Sequence, residues 1–254
     1  MIYYTMKHLE LRLSYLKHQM TLFPKGYYGS HHGKSILCVY PLDGPHKGLR
    51  REYLVNSRNG RRYVPLVNEY IKLEQEYSAL IKLWNSRYKI PPRTIQFPLK
   101  KKTHDPIPYD SFGELIPYQN PRPYKCRYKA AGHIVRSKNE AVVVSLINEM
   151  NYRLLCEPAV NLGRYYDNYP DIVFEVPEVQ KIFVIEVDGA MDDEADCQKA
   201  ETRRETYVRM GFREMKDVVF IRLTNDDGGV PLDVEYIRQM ILAAINMSIE
   251  DLII

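Results

Sequence analysis

Apolar positions along this chain are loosely ordered up to about residue 130 and strongly periodic from Gly132 onward. In the first part, Leu9, Leu11, Leu13, Leu16 and Met20 predict a helix over about 5–22. Ser35-Ile36-Leu37-Cys38-Val39-Tyr40 and Glu52-Tyr53-Leu54-Val55 read as strands, and Asn59-Gly60 then supplies a turn signal. Leu66, Tyr70, Leu73, Tyr77, Leu80 and Trp84 recur at three- and four-residue intervals and predict a helix from Leu66 to Tyr88, which Pro91-Pro92 stops. In the second part the spacing predicts a helix over 137–150, strands near 153–159, 171–176 and 182–188, a helix over 193–210, a strand at 218–224 and a helix over 233–247. That alternation favours a central mixed sheet covered by helices on both faces.

Three regions follow. Residues 1–95 form a smaller basic α+β region, 96–130 a proline-rich basic linker, and 131–254 an α/β domain long enough to bury its own core. The linker carries Pro98, Pro106, Pro108, Pro117, Pro121 and Pro123 together with the run Lys100-Lys101-Lys102. It reads as an extended arm, because proline suits neither helix interiors nor central strands.

Composition adds little to this. No apolar stretch is long enough to span a bilayer, and the amino terminus lacks the layout of a secretory signal. Cys38, Cys126, Cys156 and Cys197 are scattered without a C-x-x-C pair, so a disulfide framework or zinc knuckle is not expected and the cytoplasm is the default compartment. Charge is more informative. Residues 1–130 hold 23 Lys and Arg against 9 Asp and Glu, a balance of +14, while residues 131–254 carry −10. A basic half joined to an acidic half suggests that one contacts a polyanion while the other holds metal or chemistry; the bland alternative is that the halves dock on each other. Fifteen of the 21 tyrosines lie in the basic half. Rings interleaved with cations suit nucleic acid, although tyrosine is also a common core residue.

Gly29-Ser30-His31-His32-Gly33-Lys34-Ser35 superficially resembles a phosphate-binding loop. The required first glycine is Tyr28, and a strand rather than a helix is predicted to follow, so nucleotide binding is rejected here.

Chemistry concentrates in the second half. Glu186 and Asp188 end an apolar run two residues apart and so share a face of the sheet. Asp171 opens the preceding strand, and an antiparallel hairpin makes it the cross-strand neighbour of Glu186. Like charges that close repel unless a cation separates them, which is the geometry of a divalent-metal site. Glu140 lies near the start of the upstream helix, on its Val143, Val144 and Ile147 face. With Ser137 it also forms an S-x-x-E capping box, and the two roles are compatible.

The run Arg136-Ser137-Lys138-Asn139-Glu140, then Pro170-Asp171, then Glu186-Val187-Asp188-Gly189 resembles the PD-(D/E)XK nuclease superfamily. Within it, the chain is similar to a bacterial group with an Arg-Ser-Lys-x-Glu helix and a Glu-x-x-Gly strand end, whose later lysine, tyrosine and glycine match Lys199, Tyr207 and Gly211. The resemblance implies a restriction-endonuclease-like αβββαβα core with a mixed central sheet. It also implies Mg²⁺-dependent hydrolysis of nucleic acid, DNA before RNA, with Mn²⁺ able to substitute. Asp171 and Glu186 would ligate the metal and Glu140 would assist. Lys100, Lys101, Lys102, Arg136 and Arg203 are the candidate nucleic-acid contacts. No membrane partner is expected, and a homodimer is compatible with this reading.

One position departs from the superfamily pattern: its motif lysine is replaced by Asp188. Either the cation has moved to the next helix, where Lys199 is the candidate, or Asp188 helps bind a second metal, or the site is degenerate. A catalytically silent nucleic-acid-binding module and a protein–protein adaptor therefore stand as rivals.

Overall fold

The structure, a computed structural model, describes residues 2–20, 26–40, 45, 47–87, 100–101, 105–122, 124, 127–160, 168–188, 194–222, 233–249 and 252–253. Lys102, Cys126 and Gly189 lie outside them. The chain divides into two compact units, Met1–Lys100 with Ile254, and Lys101–Ile253.

In the first unit, helices α1 (Ile2–Gln19) and α2 (Arg58–Arg87) accompany an antiparallel sheet of β1 (Gly26–His31), β2 (Lys34–Val39) and β3 (Arg51–Leu54), in that order. Leu13, Leu16 and Met20 of the α1 region, Leu37 and Val39 of β2, and Tyr63, Val67 and Tyr70 of α2 form its core. Arg12 clamps α1 to α2 through a two-point contact with Glu69, at 2.7 and 3.1 Å. Strand β1 is absent from the pattern-based reading, because Gly-Tyr-Tyr-Gly-Ser-His has no apolar alternation. It pairs with β2 through a two-residue turn in which His32 and Gly33 both take positive φ, the conformation a tight hairpin demands. Strand on both sides also removes any phosphate loop at this point.

Helix α2 begins at Arg58, well before the Leu66 start that its apolar spacing predicts. Asn59-Gly60 is not a turn but part of the first helical turn, where the Gly60 N–H donates to Ser57 Oγ at 3.1 Å. A Cβ on Gly60 would lie 2.2 Å from the Leu54 carbonyl oxygen, so glycine is required by close approach to β3. Pro65 sits inside the helix without ending it. The packing of Tyr63, Val67 and Tyr70 outweighs the missing hydrogen bond.

The two-residue strand β4 (Lys100–Lys101) follows. The second unit then runs through the hairpin β5 (Tyr128–Ala130) and β6 (His133–Val135), α3 (Lys138–Glu149), β7 (Leu154–Cys156), β8 (Ile172–Val176), β9 (Lys181–Asp188), α4 (Glu194–Arg209), β10 (Val218–Arg222), α5 (Val234–Ser248) and β11 (Leu252–Ile253). Its main sheet has the order β10-β9-β8-β7. Strands β7, β8 and β9 form an antiparallel meander, and β10 lies parallel to β9 after the α4 crossover. From α3 to α5 the elements follow one another as helix, three strands, helix, strand, helix. The sheet is mixed and every residue of β9 is buried.

Side-chain alternation assigns the two faces. Val173, Ile182, Val184, Val218 and Phe220 pack with Tyr207 of α4 and with Phe212, while α3 and α5 pack against each other and onto the sheet. The proline-rich stretch is not a free arm over its described part. It contains a 3₁₀ turn, Tyr109–Glu114, and sends Ile107 and Phe112 into the same core. Asp105 is tied down as well: Lys181 Nζ lies 3.6 Å from it and 2.6 Å from Asp217. Among the described residues, no helix is long and apolar enough to cross a membrane.

Candidate functional site

Strand register builds the site. Ile172 pairs with Ile185, so the next step along the antiparallel ladder sets Asp171 opposite Glu186. Both point to the α4 face, by alternation from Val173 and Val184. Asp171 Oδ2 accepts the Val187 backbone N–H at 2.8 Å, and the Asp171 and Glu186 carboxyls are hydrogen-bonded to each other. Two carboxylates sharing a hydrogen bond need a proton or a cation between them.

Helix α4 answers these charges. Arg203 Nη1 donates to Glu186 Oε2 at 3.1 Å and to Asp188 Oδ1 at 3.3 Å. One turn further on, Tyr207 donates its hydroxyl to Glu186 Oε1 at 2.5 Å from within the hydrophobic core. Glu186 is thus satisfied on both oxygens by residues four apart on one helical face. The helix side of the site comes from α3. Ser137 caps it, accepting the Glu140 N–H at 3.1 Å, and Glu140 Oε2 accepts the Arg136 N–H at 3.0 Å. Capping therefore fixes the Glu140 carboxylate, which still lies close enough to Asp171 for the two charges to interact.

A further acid completes the wall. Glu157 follows β7 with φ of +47°, a conformation few non-glycine residues adopt. Its carboxylate accepts from Asn120 Nδ2 at 2.9 Å, from Arg136 Nε at 2.5 Å and from the Tyr124 hydroxyl. Arg136 also donates to the Arg122 carbonyl at 2.7 Å and lies 4.4 Å from the centre of the Tyr124 ring. Together these groups surround an open cavity of about 520 Å³, whose walls include Arg136, Glu157, Asn168, Asp171, Glu186 and Arg203.

Burial dominates the electrostatics. It raises the Asp171 carboxyl, against the pull of the Val187 N–H and Arg203. It raises Glu186 well above the usual range, helped by the charge of Asp171 and opposed by Arg203 and Tyr207. Glu140 is raised by burial and then by Asp171, and the buried Cys156 thiol is pushed up to about 12. For Arg203 burial works against the charge, but Glu186, Asp171 and Asp188 outweigh it and hold the guanidinium firmly charged.

Among the described residues, no group of three or more His, Cys, Asp or Glu side chains is arranged to hold a metal ion. Two adjacent carboxylates nevertheless suit Mg²⁺, which commonly takes one or two protein carboxylates and completes its shell with water and phosphate. The hydrogen-bonded pair of half-buried Asp171 and buried Glu186 is the observation that fits such a cation.

Asp171 meets Glu186 across the ladder and Glu140 lies near Asp171, while Asp188 is linked to Glu186 through Arg203. Lys199 is exposed on α4, and Arg203, one turn later, pairs with Glu186 and Asp188. Arg136 and Arg203, read from the sequence as phosphate contacts, are both engaged by buried acids while still lining the cavity. Asp188, read as a ligand of a second ion, is engaged by Arg203. Lys100 and Lys101 form β4, and Lys102 lies outside the described residues. Sequence reasoning missed Glu157, Asn120 and Tyr124. They carry no local signal, because Glu157 meets its partners across 21, 33 and 37 positions of the chain. Comparison of the chain with known protein families, curated proteins and solved structures finds no match.

Proposed function

We propose that the second unit hydrolyses phosphodiester bonds in nucleic acid, DNA in the first instance, as a Mg²⁺-dependent nuclease of the PD-(D/E)XK, restriction-endonuclease-like type. The observation that carries this reading is the pair of half-buried Asp171 and buried Glu186 at the end of the β8–β9 hairpin, facing a cavity whose walls also include Arg122, Arg136 and Arg203. Asp171 and Glu186 would hold the ion, which when bound polarises the scissile phosphate and makes a water more acidic. The chain's own groups do the rest. Tyr207 and the Val187 N–H fix the orientation of the two carboxylates. Glu140, anchored by the α3 cap, stands ready to accept a hydrogen bond from a water near Asp171. Arg203, with Lys199 one turn before it, supplies the positive charge that the superfamily draws from the residue at Asp188.

Supercoiled plasmid, linear duplex and single-stranded RNA incubated with Mg²⁺ or Mn²⁺ test the reading. Cleavage by the wild-type chain but not by Asp171→Asn supports it, and no cleavage of any substrate with either ion ends it. A second reading is favoured by one observation: Arg203 and Tyr207 already satisfy both oxygens of Glu186. On that reading the unit binds nucleic acid without cutting it, and salt-sensitive binding with no cleavage identifies it.

A further inference from the structure

Arg203 is held from one side only. Its Nη1 serves both Glu186 Oε2 and Asp188 Oδ1, and no other hydrogen bond of this guanidinium occurs among the described residues. The two acids are 4% exposed, whereas the arginine side chain is 41% exposed and lines the cavity. A guanidinium carries five N–H donors in a planar fork, of which Nη1 supplies two. An ordinary arginine–carboxylate pair uses two nitrogens on one acid. Here Nη1 is shared with a second acid, and Nε and Nη2 make no hydrogen bond among the described residues. Arg136 faces the same cavity, braced by Glu157 and the Arg122 carbonyl.

We propose that Arg203 is the cavity's receptor for a phosphate group of nucleic acid, and that Asp188 is the positioning residue that keeps the free edge of its fork turned outward. This role presupposes that the cavity takes nucleic acid, but not that the chain cuts it. A phosphate approaching Asp171, Glu186 and Asp188 meets an acidic wall of like sign. A bidentate guanidinium standing in front of two of them converts that repulsion into a charge-assisted contact. Asp188 then has a sign that simple electrostatics does not give it. An acid that merely repels the strand tightens polyanion binding when neutralised, whereas a brace weakens it.

The experiment uses the full chain in EDTA with a fluorescein-labelled single-stranded DNA oligonucleotide, read by anisotropy across a salt series. Arg203→Gln is expected to weaken binding about tenfold and to lower the slope of log K against log salt by about 0.7, the share of one single-strand phosphate contact. Asp188→Asn is expected to weaken binding about threefold. Arg203→Lys, which keeps the charge without the fork, is expected to fall closer to Arg203→Gln than to wild type. Unchanged or tighter binding by Asp188→Asn overturns the proposal, as does an unchanged slope in Arg203→Gln or no binding by wild type. Should Asp188→Asn fail to fold, Asp188→Glu keeps the charge but moves the brace by one methylene: weaker binding supports the role and equal binding overturns it. Because no metal is present, the outcomes separate. Arg203-dependent binding by a chain that never cuts leaves this role standing and ends the nuclease reading, and cleavage without Arg203 dependence in binding does the reverse.

Discussion

Asp171 lies one step beyond the Ile172–Ile185 pair, directly across the ladder from Glu186, and the two carboxyls share a hydrogen bond. Both are raised by burial, so the fold carries an electrostatic cost at this point that a neutral or cation-bound pair would not.

Asp171→Asn removes that repulsion and keeps an oxygen for the Val187 N–H. The variant is expected to lose cleavage while its metal-free thermal midpoint rises by about 2–4 °C, the shift that roughly 1 kcal/mol produces in a chain of this size. Calorimetry beside a plasmid assay checks both signs. A lowered midpoint would show that the pair is not strained.

Tyr207→Phe keeps the ring in its edge-on contacts with Phe212 and Phe220, at 5.1 and 5.8 Å, and deletes the hydroxyl that donates to Glu186 and also hydrogen-bonds Asn168. Removing a hydrogen bond to a charged, buried group costs about 1.5–3 kcal/mol. On the proposed nuclease reading, cleavage is expected to fall through kcat more than through KM, because the tyrosine would orient Glu186 rather than touch nucleic acid. Steady-state kinetics with urea unfolding separates that from a purely structural role.

Lys199→Ala and Arg203→Gln, assayed together for plasmid cleavage, identify the cation the site uses. Arg203 is paired with Glu186 and Asp188, so Arg203→Gln is expected to reduce activity by about tenfold more than Lys199→Ala, the scale of a charge-assisted contact. The reverse ranking would return the role to Lys199.

Asp217 supplies a pH dependence remote from the site. Burial alone would raise it, but hydrogen bonds from Arg213 and Lys181 outweigh burial and hold it below the usual aspartate range. A carboxyl lowered in the folded state contributes stability above the unfolded pKa of about 3.9, and that contribution is lost as pH falls through the lower folded value. Wild type is therefore expected to lose urea resistance below about pH 4 more steeply than Asp217→Asn. At neutral pH the variant should be less stable by about 3 kcal/mol, the cost of leaving a buried lysine poorly paired.

The basic first unit makes a prediction of its own. Arg58, Arg61 and Arg62 are exposed at the start of α2. Changing all three to glutamine is expected to lower the salt slope of duplex DNA binding by about 2–3, near 0.9 for each phosphate no longer neutralised. Cleavage at saturating DNA should persist. An unchanged slope would show that this surface does not meet phosphate.

Much of the second unit is legible in the residue pattern. The apolar run from Ile182 to Val187, the S-x-x-E cap at Ser137 and the short connection that returns the chain from Val176 to Lys181 are local features. They map to β9, to α3 and to the β8–β9 register that carries Asp171. The first unit is less transparent. Tyr27 and Tyr28 give β1 no alternation, and Pro65 and Asn59-Gly60 mask the first turns of α2, because packing against β2 and β3 overrides local preference.

By itself the sequence determined the order of elements from α3 to α5 and the meeting of Asp171 with Glu186, because helical and strand periods act over a few residues and a hairpin register follows from them. Only the tertiary structure decided that Arg203 pairs with Glu186 and Asp188, that Glu157 braces Arg136, and that Ile107 and Phe112 of the proline-rich stretch belong to the core. Those pairings join residues far apart in the chain, and the reach of Arg203 to a buried acid depends on how α4 is rotated when Tyr207 is driven into the core.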